Sequence, residues 1–392
     1  MVETKFKQTE IGVIPEDWEV KKLGEVGEVK MCRRIFSSQT SIIGDIPFFK
    51  IGTFGDKADA YISNALYENY KSKFSFPKKG DILISAAGTI GRTIIYDGKD
   101  AYFQDSNIVW IDNNEIILSN KYLYYVLQIV KYNTEGGTIQ RLYNSILNNT
   151  KFPLPPLPEQ RAIAEVLSDT DAWIESLEKL IAKKRLIKQG AMQELLTPKE
   201  GWEVKKLGEV VLSILGGGTP SRAIGEYWGG NIPWMTVKDF ATYNRDKTQE
   251  YITQSGLNNS ASRIVKKGDL IIATRIALGQ IVKYNVDVAI NQDLKAIRLS
   301  DLVHTDFFIY FYRSISTKII EKGSGSTVLG LSIDDLKSIP TPLPPFPEQL
   351  RIATILSDMD AEIEALENKL AKARQIKQGM MQELLTGRIR FV

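Results

Sequence analysis

The chain contains itself twice. Trp18 to Val26 recurs letter for letter as Trp202 to Val210, Lys78 to Ile82 returns as Lys266 to Leu270, Gln104-Asp105 as Gln292-Asp293, and Ile46-Pro47 as Ile232-Pro233. The longest match sets Leu154 to Thr197 against Leu343 to Thr386 without a gap, with about two-thirds of the positions identical. A period of about 190 residues is a duplicated domain rather than a solenoid, whose units run roughly 20 to 50 residues. Divergence is concentrated: Val29 to Asp45 shares almost nothing with Val211 to Asn231, and Ser85 to Gly91 departs from Ala273 to Gly279. Two copies of one framework thus carry different inserts. Duplication kept for stability alone gives no reason for the differences to gather in loops.

The residues after each Pro-Glu-Gln motif, 158–160 and 347–349, follow the alternating three-and-four spacing of a coiled coil. In the first copy the seam reads Leu167, Thr170, Ile174, Leu177, Ile181, Lys184 and Lys188; in the second it reads Leu356, Met359, Ile363, Leu366, Leu370, Ala373 and Lys377. The spacing predicts one long helix in each copy, from about Arg161 to Leu196 in the first, roughly 50 Å at about 1.5 Å per residue. Leu154 to Pro158 and Leu343 to Pro347 are proline-rich approaches that favour an extended polyproline conformation and a sharp helix start with proline near the first turn. Each helix is acidic in its first half and basic in its second, so antiparallel pairing sets unlike charges side by side. Independent amphipathic helices, each docked on its own domain, are the other arrangement the pattern allows.

Before each helix, Asp81 to Ser85, Thr93 to Tyr96, Asn107 to Ile111 and Asp269 to Ala273 read as strands, and Lys121 to Lys131 and Thr305 to Ile320 as helices. The expected fold is α+β: two similar mixed α/β domains, residues 1–152 and 201–341, joined by helical regions at 153–200 and 342–392 that form an antiparallel coiled coil.

Composition narrows the chemistry. With 50 Lys and Arg against 47 Asp and Glu, no global field drives nucleic-acid binding, and any such contact must come from local clusters. A single cysteine, Cys32, and a single histidine, His304, exclude an internal disulfide and a Cys/His zinc site. No signal-like or membrane-spanning run occurs, so the chain reads as cytoplasmic with no membrane role. There is no phosphate-binding loop; Gly216 to Arg222 is glycine-rich but lacks the following lysine and reads as a turn. Glu19-Val20-Lys21 resembles a nuclease triplet that arises by chance, Cys32 reads as a packed thiol, and His304 as solvent-facing. No catalytic constellation emerges.

What remains is a set of polar, glycine-rich loops with the composition of DNA contacts. The candidates are Arg33, Arg34, Lys50, Thr53, Lys57, Ser85, Thr89, Arg92, Gln140 and Arg141 in the first copy. In the second they are Thr219, Ser221, Arg222, Lys238, Arg245, Thr274, Arg275, Ser324 and Thr327.

The Pro-Glu-Gln entries, the helix ends reading Ile-Lys-Gln-Gly (187–190 and 376–379) and Gln-Glu-Leu-Leu-Thr, the Trp-to-Leu-Gly-Glu starts and Gly88 to Arg92 together resemble the DNA specificity subunit of type I restriction-modification systems. The second copy departs from the family pattern at Ile276 to Gln280 and at Leu350, where the first has Arg161. The resemblance implies a non-catalytic chain with two target recognition domains, each reading half of a bipartite, asymmetric site in double-stranded DNA. The helices would set the spacing and dock two methyltransferase subunits, which restriction subunits then join. S-adenosylmethionine, ATP and Mg2+ would belong to those partners, and this chain would hold no cofactor. A solitary enzyme and a protein-binding scaffold without DNA contact are the rival readings.

Overall fold

The computed structural model describes residues 4–130, 132, 141–325 and 329–391. They fall into two compact units, Met1–Glu178 with Asn368–Val392 and Lys179–Glu367. Each unit therefore takes the first half of one long helix and the second half of the other.

In the first unit an antiparallel sheet runs in the order Glu28–Lys30, Ile108–Asp112, Ile82–Ser85, Thr93–Ile95. The strand Ile82–Ser85 is buried on both faces, as an apolar run bounded by Gly80-Asp81 and a glycine turn requires. Ile82 and Ile84 enter one core with Tyr122, Leu123 and Val126 of the helix Asn120–Ile129. Leu83 enters a second core with Phe48, Trp110 and Tyr102, under a three-stranded sheet in which Ile46–Phe49 pairs antiparallel with Tyr61–Ile62 and parallel with Tyr102–Phe103.

The second unit repeats this plan. Its sheet order is Val211–Gly216, Leu294–Leu299, Leu270–Ala273, Ile281–Lys283, with Leu270 and Ile272 in one core and Ile271 and Ala273 in the other. A further sheet runs Glu250–Ile252, Trp228–Met235, Val288–Ile290, Arg263–Val265, again with one parallel pair at its centre. The expected helix Thr305 to Ile320 breaks at Ile315 into Thr305–Ser314 and Ser316–Glu321.

The long helices span Leu157–Leu195 and Phe346–Leu384. The first starts four residues before the expected Arg161, and the second starts at the matching place in its copy. The first-turn prolines Pro158 and Pro347 make this possible, since a first-turn N–H has no partner to lose. Of the proline-rich approaches, only Leu154 and Leu343 lie in strands, Lys151–Leu154 pairing with Glu19–Lys22 and Pro340–Leu343 with Glu203–Lys206; Leu157 with Pro158 and Phe346 with Pro347 are already helix. Gly190 and Gly379 lie within the helices and do not interrupt them. Leu167, Leu177, Ile181, Leu356 and Ile363 are buried, and Ile174, Leu366 and Leu370 half-buried, as the seam pattern requires.

Inside each unit the helix halves run antiparallel, and the same ion pairs recur. In the first unit Asp171 meets Lys377 at 2.6 Å and Glu178 meets Arg374 at 2.6 Å. In the second, Asp360 meets Lys188, and Glu367 meets Arg185 at 2.6 Å. Exposed pairs such as Glu367 with Arg185 add little stability but penalise the parallel alternative. The inner pairs also hold the domains. Tyr125 donates its hydroxyl to Asp171 at 2.9 Å with the Lys377 ammonium 5.6 Å from its ring. Tyr310 donates to Asp360 at 2.8 Å with Lys188 5.4 Å away. Burial, with Asp360 beside it, pushes the Tyr310 hydroxyl up to about 12, so it stays a donor.

The Gln of each Pro-Glu-Gln motif is a clamp. Gln160 is fully buried; its amide donates to the carbonyls of Ile117 and Pro155 and accepts from the Ser119 N–H at 2.9 Å. Gln349 does the same with Leu302, Pro344 and the His304 N–H at 2.8 Å. Ser119 and His304 are the N-caps of Asn120–Ile129 and Thr305–Ser314, so each clamp fastens a long helix to a domain helix. His304 is half-buried rather than solvent-facing, and its Nδ1 accepts from the Phe307 N–H.

One network has no duplicate. In the first unit Arg390 binds Glu159 and Asp17, and Glu159 also accepts from the Trp18 indole at 3.0 Å. Glu159 is 3% exposed, so removing Arg390 leaves a buried carboxylate without its cation. The expected cost of Arg390→Ala is about 3–5 kcal/mol by denaturant unfolding. Arg390 also holds the Asp17 carboxyl below its ordinary 3.8. That contribution is complete above the unfolded value and disappears as pH falls through the folded one. The gap between wild type and variant should therefore narrow below about pH 4; an equal gap at pH 7 and pH 3 contradicts the assignment. Gln160→Ala and Gln349→Ala each strand a buried N–H and two carbonyls, and unfolding should report a loss of about 1–3 kcal/mol from each. A loss below about 0.5 kcal/mol would deny the clamp.

Candidate nucleic-acid interface

In each unit the turn after the central strand is built on one backbone plan. In the first, Ser85 donates its hydroxyl to the Thr89 carbonyl and accepts from the Arg92 N–H at 2.9 Å, while the Leu142 N–H reaches the Ala86 carbonyl at 2.8 Å. In the second, the Leu331 N–H reaches the Thr274 carbonyl at 2.8 Å, and the Thr274 hydroxyl donates to the Asp293 carbonyl at 3.2 Å. Ala87 bridges Arg141, and Arg275 bridges Gly330, bringing a second loop beside the turn in both units. Ser85 and Thr274 are thus buried scaffold whose hydroxyls are spent within the chain. Thr89, Arg92 and Arg141, and Arg275 and Ser324 in the second unit, stand exposed around them. Gln140 and Thr327 lie outside the described residues.

Gly91 and Gly279 both take positive φ, +79° and +82°, and a Cβ there would come within 2.7 Å of the Tyr132 ring and 2.9 Å of Ser316. Gly88 and its counterpart Ile276 share a φ of +66°. Glycine adopts this left-handed conformation freely, whereas a β-branched residue there is strained by about 1–2 kcal/mol. Ile276 is 64% exposed, so core burial does not offset that cost. Composition did not single it out; aligning the copies sets it against Gly88, which is the signal that finds it.

The duplicated Gln-Asp pair organises the neighbouring loops. Gln104 accepts from the Ile51 N–H at 3.0 Å, next to Lys50 and Thr53, whose hydroxyl closes a short turn onto Lys50. Gln292 accepts from the Thr219 hydroxyl at 2.6 Å. Asp105 holds Arg34 at 2.8 Å, and Asp293 holds Arg275 at 3.5 Å. These carboxylates place guanidinium groups on the loops, a role that the repeat alone did not reveal.

The remaining cations divide by partner. Lys50 pairs with Asp59 at 2.8 Å, the Arg33 guanidinium lies 5.3 Å from the Phe74 ring, and Arg222 grips Glu250 with both terminal nitrogens while stacking 3.6 Å from Trp228. The Ser221 carbonyl accepts from the Trp228 indole, closing the same loop. Gly217 and Gly218 belong to a close crossing rather than a nucleotide cradle: a Cβ on Gly217 would sit 2.0 Å from the Ile290 carbonyl oxygen. Among the described residues, no ion pair engages Lys57, Arg92, Arg141, Lys238 or Arg245, all exposed.

Other motifs are structural. Glu19 and Lys21 pair with each other at 3.0 Å on a largely half-buried strand. Burial pushes the Cys32 thiol up to about 12, as for an unreactive packed side chain. Among the described residues, no helix is long and apolar enough to cross a membrane.

Comparison with known proteins agrees with this duplicated plan. The family model described as a type I restriction modification DNA specificity domain matches twice, over residues 15–184 and 199–375. A putative type I restriction enzyme specificity subunit of Methanocaldococcus jannaschii is 30% identical over 99% of this chain and 97% of its own length. A second putative specificity subunit, from Haemophilus influenzae, is 58% identical, but over only 42% of this chain and 43% of its own length. In fold, the chain is similar to the crystal structure of a type I restriction-modification S subunit from M. genitalium, with a TM-score of 0.61 and 17% identity over 98% of this chain and 99% of that one. With two matches that together span most of its length, the chain belongs to the type I restriction-modification DNA specificity subunit family.

Proposed function

We propose that each unit reads one half of a bipartite, asymmetric site in double-stranded DNA, and that the long helices set the gap between halves and dock methyltransferase subunits. The observation that carries this is one backbone plan repeated in both units, with unlike side chains on the turn and its neighbouring loops. Thr89 and Arg92 stand in the first turn where Ala277 and Gln280 stand in the second. Like scaffolds with unlike reading groups give unlike half-sites. Unpaired cations supply sequence-independent phosphate contact, and the loop side chains supply base discrimination.

Methyl transfer and DNA cleavage belong, in this reading, to partner subunits, which supply S-adenosylmethionine, ATP and Mg2+. The partners would extract the target adenine from the stack. This chain's part is to choose the sequence and hold the partners over it.

Inserting four residues into each long helix lengthens it by about 6 Å, nearly two base-pair rises at about 3.4 Å each. Methylation-site sequencing should then show a wider gap between unchanged half-sites; an unchanged gap removes the helices from spacing. Exchanging residues 29–151 for those of a relative should change one half-site and leave the other. Loss of both halves in a chain that still folds and assembles would contradict modular reading.

A further inference from the structure

Resting on the reading of this chain as a sequence-specific DNA-binding subunit, we infer that Ile276 is a base-reading residue of the second unit, packing its branched side chain against a thymine methyl group in the half-site. The turn that carries it matches the first unit's turn in φ at both left-handed positions and in the hydrogen bond that pins it. Yet the first unit places Gly88 where the second places Ile276. Local conformation argues for glycine, and an exposed position gives isoleucine little in return among the described residues. A strained residue that the fold does not need points to a role at the surface.

The surroundings narrow that role. Ile276 follows Arg275, which is held by Asp293, and lies beside the loop through Ser324, Leu329 and Gly330; its own N–H faces the Leu329 carbonyl. Its side chain can neither donate nor accept a hydrogen bond. Of the groups that base edges present in the major groove, the thymine C5-methyl is the apolar one. Arg275, oriented and partly exposed, stands ready for a neighbouring base or phosphate. The first unit offers bare backbone at the same point, so the two halves differ there by a whole side chain.

The test uses the full chain assembled with its methyltransferase subunits and a randomised duplex library, followed by the recovered site with deoxyuridine replacing each thymidine in turn. Wild type should enrich a bipartite site in which loss of one methyl weakens binding about four-fold, the equivalent of one buried methyl group. Ile276→Gly, which the first unit shows the turn accepts, should bind that site more weakly and no longer distinguish thymine from uracil at that position. Ile276→Val should keep most of the distinction, and the other half-site should be unchanged in both variants. The inference is overturned if no thymine methyl matters to wild type in that half, if both proteins respond alike to uracil, or if Ile276→Gly binds every duplex as wild type does, as a residue facing a partner protein would allow. Enrichment of no sequence by the wild-type complex would remove the underlying reading itself, a different and recognisable failure.

Discussion

Neither repeat completes a core alone. The central helix contributes Ile163, Ala164 and Leu167 to the core of the first unit, and its end packs Ala191, Met192 and Leu195, with Leu196 just beyond, on that of the second. The C-terminal helix contributes Ile352, Ala353 and Leu356 to the second and Met381 and Leu384 to the first, where Leu385 just beyond its end joins them. Antiparallel order is therefore a condition of folding, because each unit needs an early half of one helix beside a late half of the other. The Gln160 and Gln349 clamps and the Tyr-Asp-Lys contacts then fix where each domain sits on its helix halves. Substitution in the framework breaks buried hydrogen bonds, while substitution at exposed loop positions such as Thr89 and Arg92 need not, which accounts for where the copies have diverged.

The loops resolve a conflict between rigidity and variety by dividing labour within a few residues. Backbone bonds from Leu142 and Leu331, and buried hydroxyls of Ser85 and Thr274, hold the turn. The exposed positions between them are free to differ. Asp105 and Asp293 present arginines from different segments, Arg34 in one unit and Arg275 in the other, so the same carboxylate serves two arrangements. Arg222 shows the opposite use of a cation, locked by Glu250 and Trp228 to shape its own loop.

Much of this was legible in the residues. The three-and-four spacing from Leu167 to Lys188 and from Leu356 to Lys377 marks the buried seam, and the acidic-to-basic gradient marks its direction, because both are local patterns with one geometric meaning. The role of Gln160 was not legible: a buried glutamine is visible only through the carbonyls that surround it, which come from Pro155 and the distant Ile117. The proline-rich approaches were a legible start signal, because a proline that ends a helix in its interior begins one in its first turn, where Pro158 and Pro347 stand. Among loop residues, composition could not separate the buried Ser85 and Thr274 from exposed Thr89, or the committed Arg222 from unpaired Arg92, since those distinctions depend on partners far along the chain. Aligning the copies marks Ile276 as a departure from Gly88, but only the backbone angle at that position shows what the departure costs.

The account stands or falls on what the two units read together. Mapping N6-methyladenine across the genome of cells that carry this gene, and of the same cells without it, measures that directly. The account predicts a gene-dependent motif made of two different half-sites at one fixed gap. A palindromic motif, a single continuous one, or no difference between the two maps would contradict it.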